Sequence, residues 1–536
     1  MTVTTAPLTD PIRGNSDPGR LWTLTNVGEA TPDVLSPLCW SLWGYGVEVA
    51  SRRALYDFGV LPSSALAVPD DPNQWNTACF FGRQAMNVDH ARELAGLLPG
   101  MTGDDFERDL LGSVRPDATP TRSDPKRLPV VAVKAPLTLL GERWAPRRIY
   151  SRQMSWWRAT VLAGDSADAK ALLADSAQRF RLAMRVHVRS RLILNALRTQ
   201  VESIAAKVGR ADLVPALLAG YGGVIETELA DDVWSLGQGR LTMDQFLTRH
   251  GFHGPNEGNV IGQSWREDPD AVRRAAAAHA GRSEDERPRA RVQRAVAARH
   301  GAEAELLRAF PPLRRQLFRH LLSCTGSQVR SVELTKAAFL TAIDGCRAAA
   351  HALGRDLCDA GVFVQPDDAF YLTVDELLAP LPSNVRDLVD FRRTRREEYR
   401  QLELPVVFTG MPTPIAAAET GGDGGQLVRG TPAGAGVFEG TVKVVFEPDS
   451  QDILDDGEVL VCKFVDPGWT ALMSLAGALV TDIGSAASHG AIVARELGIA
   501  CVVGTGNATR ALRTGDRVRV DGSTGEVALL TRSPAR

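Results

Sequence analysis

"TDIGSAASHGAIVARELGIACVVG", residues 481–504, decides how the C-terminal part of the chain folds. Val493 and Leu497 share one helical face with Ile492 beside them, Gly498 stands where a helix ends, and Ser488 stands where an N-cap belongs. The stretch reads as strand end, small-residue loop, helix and second strand. His489 falls in the first turn of that helix. Free backbone N–H groups and the positive end of the helix dipole favour an anion there and disfavour an imidazolium. A neutral imidazole is a nucleophile, and a phosphoryl group is the electrophile it would most usefully attack. Gly484, Ser485, Ala486 and Ala487 leave space beside the ring. On position alone, a histidine that merely caps the helix or packs in the loop is the favoured reading.

Outward from this stretch, short β-branched runs predict strands: VFEGTVKVVF (437–446), EVLVC (458–462), ALVTD (478–482), ACVVG (500–504) and the hairpin RVRVDGSTGEVALL (517–530). A short helix is expected from DPGWTALMSLA (466–476). The β-α-β-α-β order predicts a small, mostly parallel layer closed by antiparallel ribbons, a β/β/α unit over 437–532. Before it, TGMPTPIAAAETGGDGGQLVRGTPAGAG (409–436) offers few side chains for a core and reads as a flexible linker. Upstream, apolar residues recur at helical spacing, as in FRLAMRVHVRSRLILNALRTQVESIAAKV, so 21–408 is expected to be one mainly α-helical domain. Residues 1–20 have no apolar run and read as a disordered leader.

Composition narrows the classes. The 536 residues are too many for one core. A formal charge of -3 gives no reason to expect nucleic acid or a membrane as partner. The arginines near 266–320 alternate with Glu and Asp, as on a solvated, salt-paired helical hairpin. No run of eighteen apolar residues predicts a membrane span, and seven scattered cysteines without a CxxC pair suit a reduced, cytoplasmic setting.

With DPGWT upstream, the 481–504 stretch resembles the swivelling phosphohistidine domain of phosphoenolpyruvate-utilising enzymes, whose pattern is T-D/E-x-G-G-x-x-S/T-H-x-A-I-V-A-R-E-x-G-I-P. The resemblance implies that His489 carries phosphoryl and that Thr481, Gly484, Ser485, Ser488, Gly490 and Arg495 form its loop. Two positions depart from the pattern: Ser485 replaces its second glycine, and Ala500 its proline. Serine resists positive φ, so a stiffer or differently shaped loop is expected.

WTLTNVGEATPDVLSPLCWSLW (22–43), FFGRQAMN (80–87), HGFHGPNEG (250–258), SWREDP (264–269) and DDAFYLTVDEL (367–377) resemble the substrate-binding region of rifampicin phosphotransferase-like proteins. Relatives read G-H-R-G-P-x-E where Phe252 and His253 stand here, which points away from their substrate. His250, His253 and Glu257 sit in a Gly/Pro-broken loop and are the candidate acceptor-binding residues, a structural loop role being the alternative. Trp22, Trp40 and Trp43 fit either a pocket for a lipophilic acceptor or helix-core packing.

Such enzymes carry an ATP-grasp domain ahead of the substrate region, and phosphoenolpyruvate synthases a TIM barrel after the carrier. The expectation is a chain without either. No GxxxxGK[ST] loop replaces the first, since Gly-Lys does not occur. The resemblance therefore implies the histidine-bearing, acceptor-binding subunit of a split ATP-dependent phosphotransferase. A separate ATP-grasp protein would supply ATP and Mg2+, with a small hydroxyl-bearing acceptor, no cofactor or metal held by this chain alone, and no nucleic-acid or membrane partner. The alternative is a non-catalytic binding or regulatory paralogue.

Overall fold

The computed structural model describes residues 5–25, 27–98, 101–121, 125–164, 168–415, 427–446, 454–455, 457–465, 469–486 and 488–533, with backbone alone at Asp109, Pro125, Glu286, Ala471 and His489. The chain divides into two compact units, Met1–Arg189 with Asn256–Gln263 and Thr335–Ala417, and Ser190–Pro255 with Ser264–Leu334 and Ala418–Arg536.

The first unit holds a four-stranded antiparallel sheet in the order β2-β3-β1-β4, built from β1 (Leu21–Thr23), β2 (Thr77–Phe80), β3 (Arg83–Asn87) and β4 (Val407–Thr409). Trp22, Phe80 and Phe408 pack edge to face on it, with Trp22–Phe80 centroids 5.0 Å and Phe80–Phe408 centroids 5.3 Å apart. Its principal helices are α1 (Pro37–Asp57), α2 (Leu128–Glu142), α3 (Ala145–Trp156), the first part of α4 (Ala169–Lys207), the later part of α9 (Pro312–Asp359) and α10 (Val385–Arg400). Pro37 at the first helical position and the Ser36 hydroxyl, which accepts from Cys39 N at 3.2 Å, start α1. The grouped tryptophans serve packing: Trp22 lies in the sheet core, and Trp43 is buried against Phe180 and Phe339 with its indole N–H on Gly258 O at 2.8 Å.

The second unit joins the remaining helices, among them α5 (Ile225–Gly237), α6 (Met243–His250), α7 (Asp270–Ala278) and α8 (Pro288–Leu307), with an eight-stranded sheet. The strands are β5 (Leu427–Arg429), β6 (Thr431–Gly434), β7 (Val437–Val444), β8 (Val459–Cys462), β9 (Ala478–Thr481), β10 (Ala500–Val503), β11 (Arg517–Asp521) and β12 (Glu526–Thr531), in the order β5-β12-β11-β7-β8-β9-β10-β6. β7 to β10 run parallel, and β11, β12, β5 and β6 pair antiparallel at the two sides. Every residue of β8, β9 and β10 is buried, as parallel strands covered on both faces require. Alternate residues serve two cores. Leu460, Cys462, Leu479 and Cys501 face the helical layer of α11 (Thr470–Met473) and α12 (His489–Leu497), whereas Val459, Val461, Val480 and Val502 meet Val518, Val520 and Val527 of the hairpin.

Three expectations change. Of the leader, residues 5–20 are ordered against the first unit: Ile12 is fully buried and its carbonyl accepts from Gly82 N at 2.7 Å, while Arg392 Nε donates to Thr9 O at 2.9 Å. One isoleucine and the backbone hydrogen bonds of a polar segment suffice. The single helical domain over 21–408 is not one compact unit, because Ser190–Pro255 and Ser264–Leu334 group with the C-terminal sheet. The linker at 409–436 is shorter than its composition suggests, for Thr409 ends β4 and residues 427–434 form β5 and β6; residues 416–426 lie outside the described ones.

Gly434 of this stretch and Gly522 of the β11–β12 turn allow close approach of backbones. A Cβ on Gly434 would lie 2.6 Å from Ile499 O, and one on Gly522 only 1.8 Å from Gly434 O. Gly522→Ala is therefore expected to push β6 off the sheet edge and lower unfolding stability by about 1–3 kcal/mol, the usual range for overpacking, as read by urea denaturation.

Candidate functional site

The loop 482–488 runs from the end of β9 to α12, and its exit from the sheet is fixed by neighbouring backbone. Asp482 N donates to Cys462 O at 3.1 Å and Ile483 N to Lys463 O at 2.8 Å. The Thr481 hydroxyl donates to Ile483 O at 2.9 Å, closing the first turn. Asp482 ties the loop to the segment after β10: its carboxylate accepts from Thr505 Oγ1 at 3.2 Å, from Thr509 N at 3.1 Å and from the Thr509 hydroxyl.

At the far end, Ser488 N donates to Ser485 O at 2.9 Å, and the Ser488 hydroxyl caps α12 by accepting from Ala491 N at 3.3 Å. Ser485 is buried in the loop. His489 is the first residue of α12, and Gly498, at φ 66°, ends the nine-residue helix in the left-handed conformation. A Cβ on Gly490 would lie 3.2 Å from Val465 Cβ, so glycine lets the helix start sit close to the end of β8. The His489 imidazole, Ala487 and residues 466–468 of DPGWT lie outside the described residues.

Arg495, two turns along, points back. Its Nη1 donates to Ala486 O at 2.8 Å and to Ala433 O at 3.0 Å, clamping the loop to β6. Burial and then the nearby Arg198 pull its guanidinium below the ordinary arginine range, to about 9, which still leaves it charged at neutral pH. The acceptors it engages are thus backbone carbonyls of the loop and of β6.

Its neighbour Glu496 reaches the helical layer. It is buried, Oε1 accepts from Tyr221 N at 3.1 Å and Oε2 from Gly222 N at 3.0 Å. Burial raises its pKa, and the two backbone donors oppose that rise. His279 and Ser474 add a contact at 3.1 Å, and Arg291 Nη1 donates to Ala476 O at 3.0 Å.

Of the acceptor candidates, His250 and His253 come together in the second unit, with ring centroids 6.3 Å apart, among Phe246, Phe252 and Trp265. Both are buried. His250 Nε2 pairs with Asp232 Oδ2 at 2.9 Å, and Asp232 also accepts from Arg249 at 3.0 Å. Burial lowers the His250 pKa, against the opposing pull of Asp232. Glu257 belongs to the first unit, where it is buried with Lys336 Nζ 3.9 Å away.

Two pairings escape a reading of the sequence. Asp232 sits eighteen residues before His250, with no spacing signal to join them. The Glu496–Tyr221 contact spans 275 residues. Asp482 alone carries a signal, as the acidic residue of the T-D/E pattern.

Comparison with known proteins bears on both layers of this unit. Residues 454–525 match the model for the mobile domain of PEP-utilising enzymes, and residues 237–330 the model for the rifampicin phosphotransferase fourth domain. Two segments of the chain thus resemble PEP-utilising enzymes. It is 28% identical over 329 residues to the rifampicin phosphotransferase of Streptomyces sviceus, covering 59% of this chain and 38% of that protein. It is 53% identical over 103 residues to a probable phosphoenolpyruvate synthase of Staphylothermus marinus, covering 19% of this chain and 12% of that one. The chain thus spans well under half the length of these relatives. A solution structure of Enzyme I aligns with 67% of this chain and 80% of that one at 13% identity, with a TM-score of 0.15, too low to bear on the fold.

Two outcomes follow from the geometry. Glu496→Gln keeps one acceptor oxygen and turns an amide N–H2 toward a backbone N–H. Leaving that donor unsatisfied should cost about 1–3 kcal/mol and speed hydrogen exchange at the Tyr221 and Gly222 amides. His250, with a pKa below the usual 6.5, contributes stability that is whole above that value and drains as the pH falls through it. The melting temperature should fall as the medium is acidified below it, and fall less steeply in His250→Gln.

Proposed function

We propose that this chain is a phosphotransferase component that carries phosphoryl on His489 and delivers it to a small hydroxyl-bearing acceptor. The observation that carries the reading is the position of His489: first residue of a Ser488-capped helix, after a loop held at one end by Asp482 and at the other by Arg495, inside the segment matching the mobile-domain model. In the first transfer the imidazole forms a P–N bond as the phosphoryl leaves its donor. In the second, the acceptor oxygen forms a P–O bond as the P–N bond breaks, and the hydroxyl proton leaves to a base.

ATP with Mg2+, held by a separate ATP-grasp protein, is the proposed donor system. The carrier then swings between that protein and the acceptor. Beside the apolar packing of Ala278 and Val292, the mobile-domain segment meets α7, α8 and Tyr221–Gly222 through polar contacts of Glu496, Arg291 and the His279–Ser474 pair, a kind of contact that water can replace. His250 and His253 are proposed to line the acceptor side, with Asp232 orienting His250. A neutral, carboxylate-oriented imidazole has the protonation state a base requires.

Intact-mass measurement after incubation with ATP, Mg2+ and the ATP-grasp partner tests the reading. The expected result is an acid-labile phosphoryl adduct on the wild-type chain, absent when the partner is omitted. His489→Ala, His489→Asn and His489→Gln should each abolish labelling and turnover while circular dichroism stays native. A folded His489→Ala chain that still labels would refute the assignment.

A further inference from the structure

Helix α2 is amphipathic with its polarity reversed. The residues it turns toward the first unit are polar: Lys134 Nζ donates to Tyr56 O at 3.1 Å and lies 3.3 Å from the centre of the Tyr56 ring, and the Thr138 hydroxyl donates to Asp57 O at 2.7 Å. Glu142 is buried, 3.1 Å from Arg189. Just before the helix, Arg127 Nε donates to Gly59 O at 2.8 Å. These four recur at helical intervals and form the inner stripe.

Every exposed residue of the helix is apolar or glycine. Leu137 is 65% exposed, Val133 65%, Leu140 51% and Leu128 42%, and Trp144, just beyond the helix, is 50% exposed. A solvated helix shows the opposite arrangement. An apolar face of this extent on an otherwise ordinary surface marks an interaction site.

The surrounding charge selects the partner. From Lys126 to Arg158 the sequence has eight basic residues and one acidic residue, the buried Glu142, in a chain whose net charge is -3. Arg143, Arg147, Arg148 and Arg152 are exposed, and among the described residues none forms an ion pair. Leucines and a tryptophan beside exposed arginines, Arg143 among them lying 5.9 Å from the Trp144 ring centre, match the two layers of an anionic bilayer surface: acyl boundary for the former, lipid phosphates for the latter. No described helix is long and apolar enough to cross a membrane.

We propose that α2 and the start of α3 form a peripheral docking surface for anionic membranes, with the exposed face of α2 lying in the interface and Arg143, Arg147, Arg148 and Arg152 on the headgroups. The partner that the overall charge gave no reason to expect is visible only locally.

Co-sedimentation of the full chain with vesicles of phosphatidylcholine, with and without phosphatidylglycerol, tests this. The chain is expected to sediment with the mixed vesicles, to be released by salt, and to stay in solution with phosphatidylcholine alone. Val133→Glu/Leu137→Glu, which changes only exposed positions, should abolish sedimentation with native circular dichroism. Arg147→Glu/Arg148→Glu should weaken binding at least about tenfold, since each basic residue near such a surface adds about 1 kcal/mol. Failure to bind mixed vesicles, or equal binding to neutral ones, overturns the proposal. So does a concentration-dependent dimer in light scattering that Val133→Glu/Leu137→Glu dissolves, for the face would then belong to a second copy of the chain.

Discussion

The second unit depends on what one nine-residue helix must satisfy at once. Val493 and Leu497 of α12 enter the core with Leu460 and Leu479; Arg495 holds the loop through Ala486 O; Glu496 accepts from Tyr221 and Gly222. These side chains leave the helix in different directions because successive residues step about 100° around it. Core, loop and helical layer therefore share one rigid element. The backbone of His489 is placed by the same helix, so any change in its packing moves the proposed phosphoryl carrier as well.

Within that constraint, the loop's fit depends on backbone rather than bulk. Its carbonyls and amides are engaged by Cys462, Lys463, Arg495 and Ser488, and Asp482 adds a side-chain anchor on Thr505 and Thr509. Small residues at 484–487 suit a loop whose shape is set by hydrogen bonds, because no side chain is needed to fill space between it and the sheet. Ser485, in place of the family's second glycine, is accommodated buried.

The parallel strands and α12 are legible in the sequence because β8, β9 and β10 are short apolar runs rich in valine and because Ser488 and Gly498 mark α12 in the sequence as they do in space. Glycine is also where legibility ends. In 427–436 it signals either a tether or close contact of two backbones, and only the positions of Ile499 O and Gly522 distinguish them. The dyad of Asp232 with His250 and the reach of Glu496 to Tyr221 are illegible for another reason. They are pairings across separate elements, and periodicity reports which face a residue occupies but not what lies opposite. His250 and His253 stand out by their Gly/Pro-broken context, yet their burial among Phe246, Phe252 and Trp265 depends on packing that no local pattern encodes.

Burial also decides what the two histidines can do. With burial holding its pKa below the usual value, the His250 imidazole needs no change of state before it accepts a proton, but it must be reached by the group that gives one. His250 has Nε2 committed to Asp232, so a proton from an acceptor hydroxyl could arrive only at its other ring nitrogen or by way of His253. Both rings lie below the surface of the second unit. In the proposed transfer, access by an acceptor would require local opening around Phe252 and Trp265, an aromatic wall that favours an acceptor with apolar surface of its own over a strongly hydrated one.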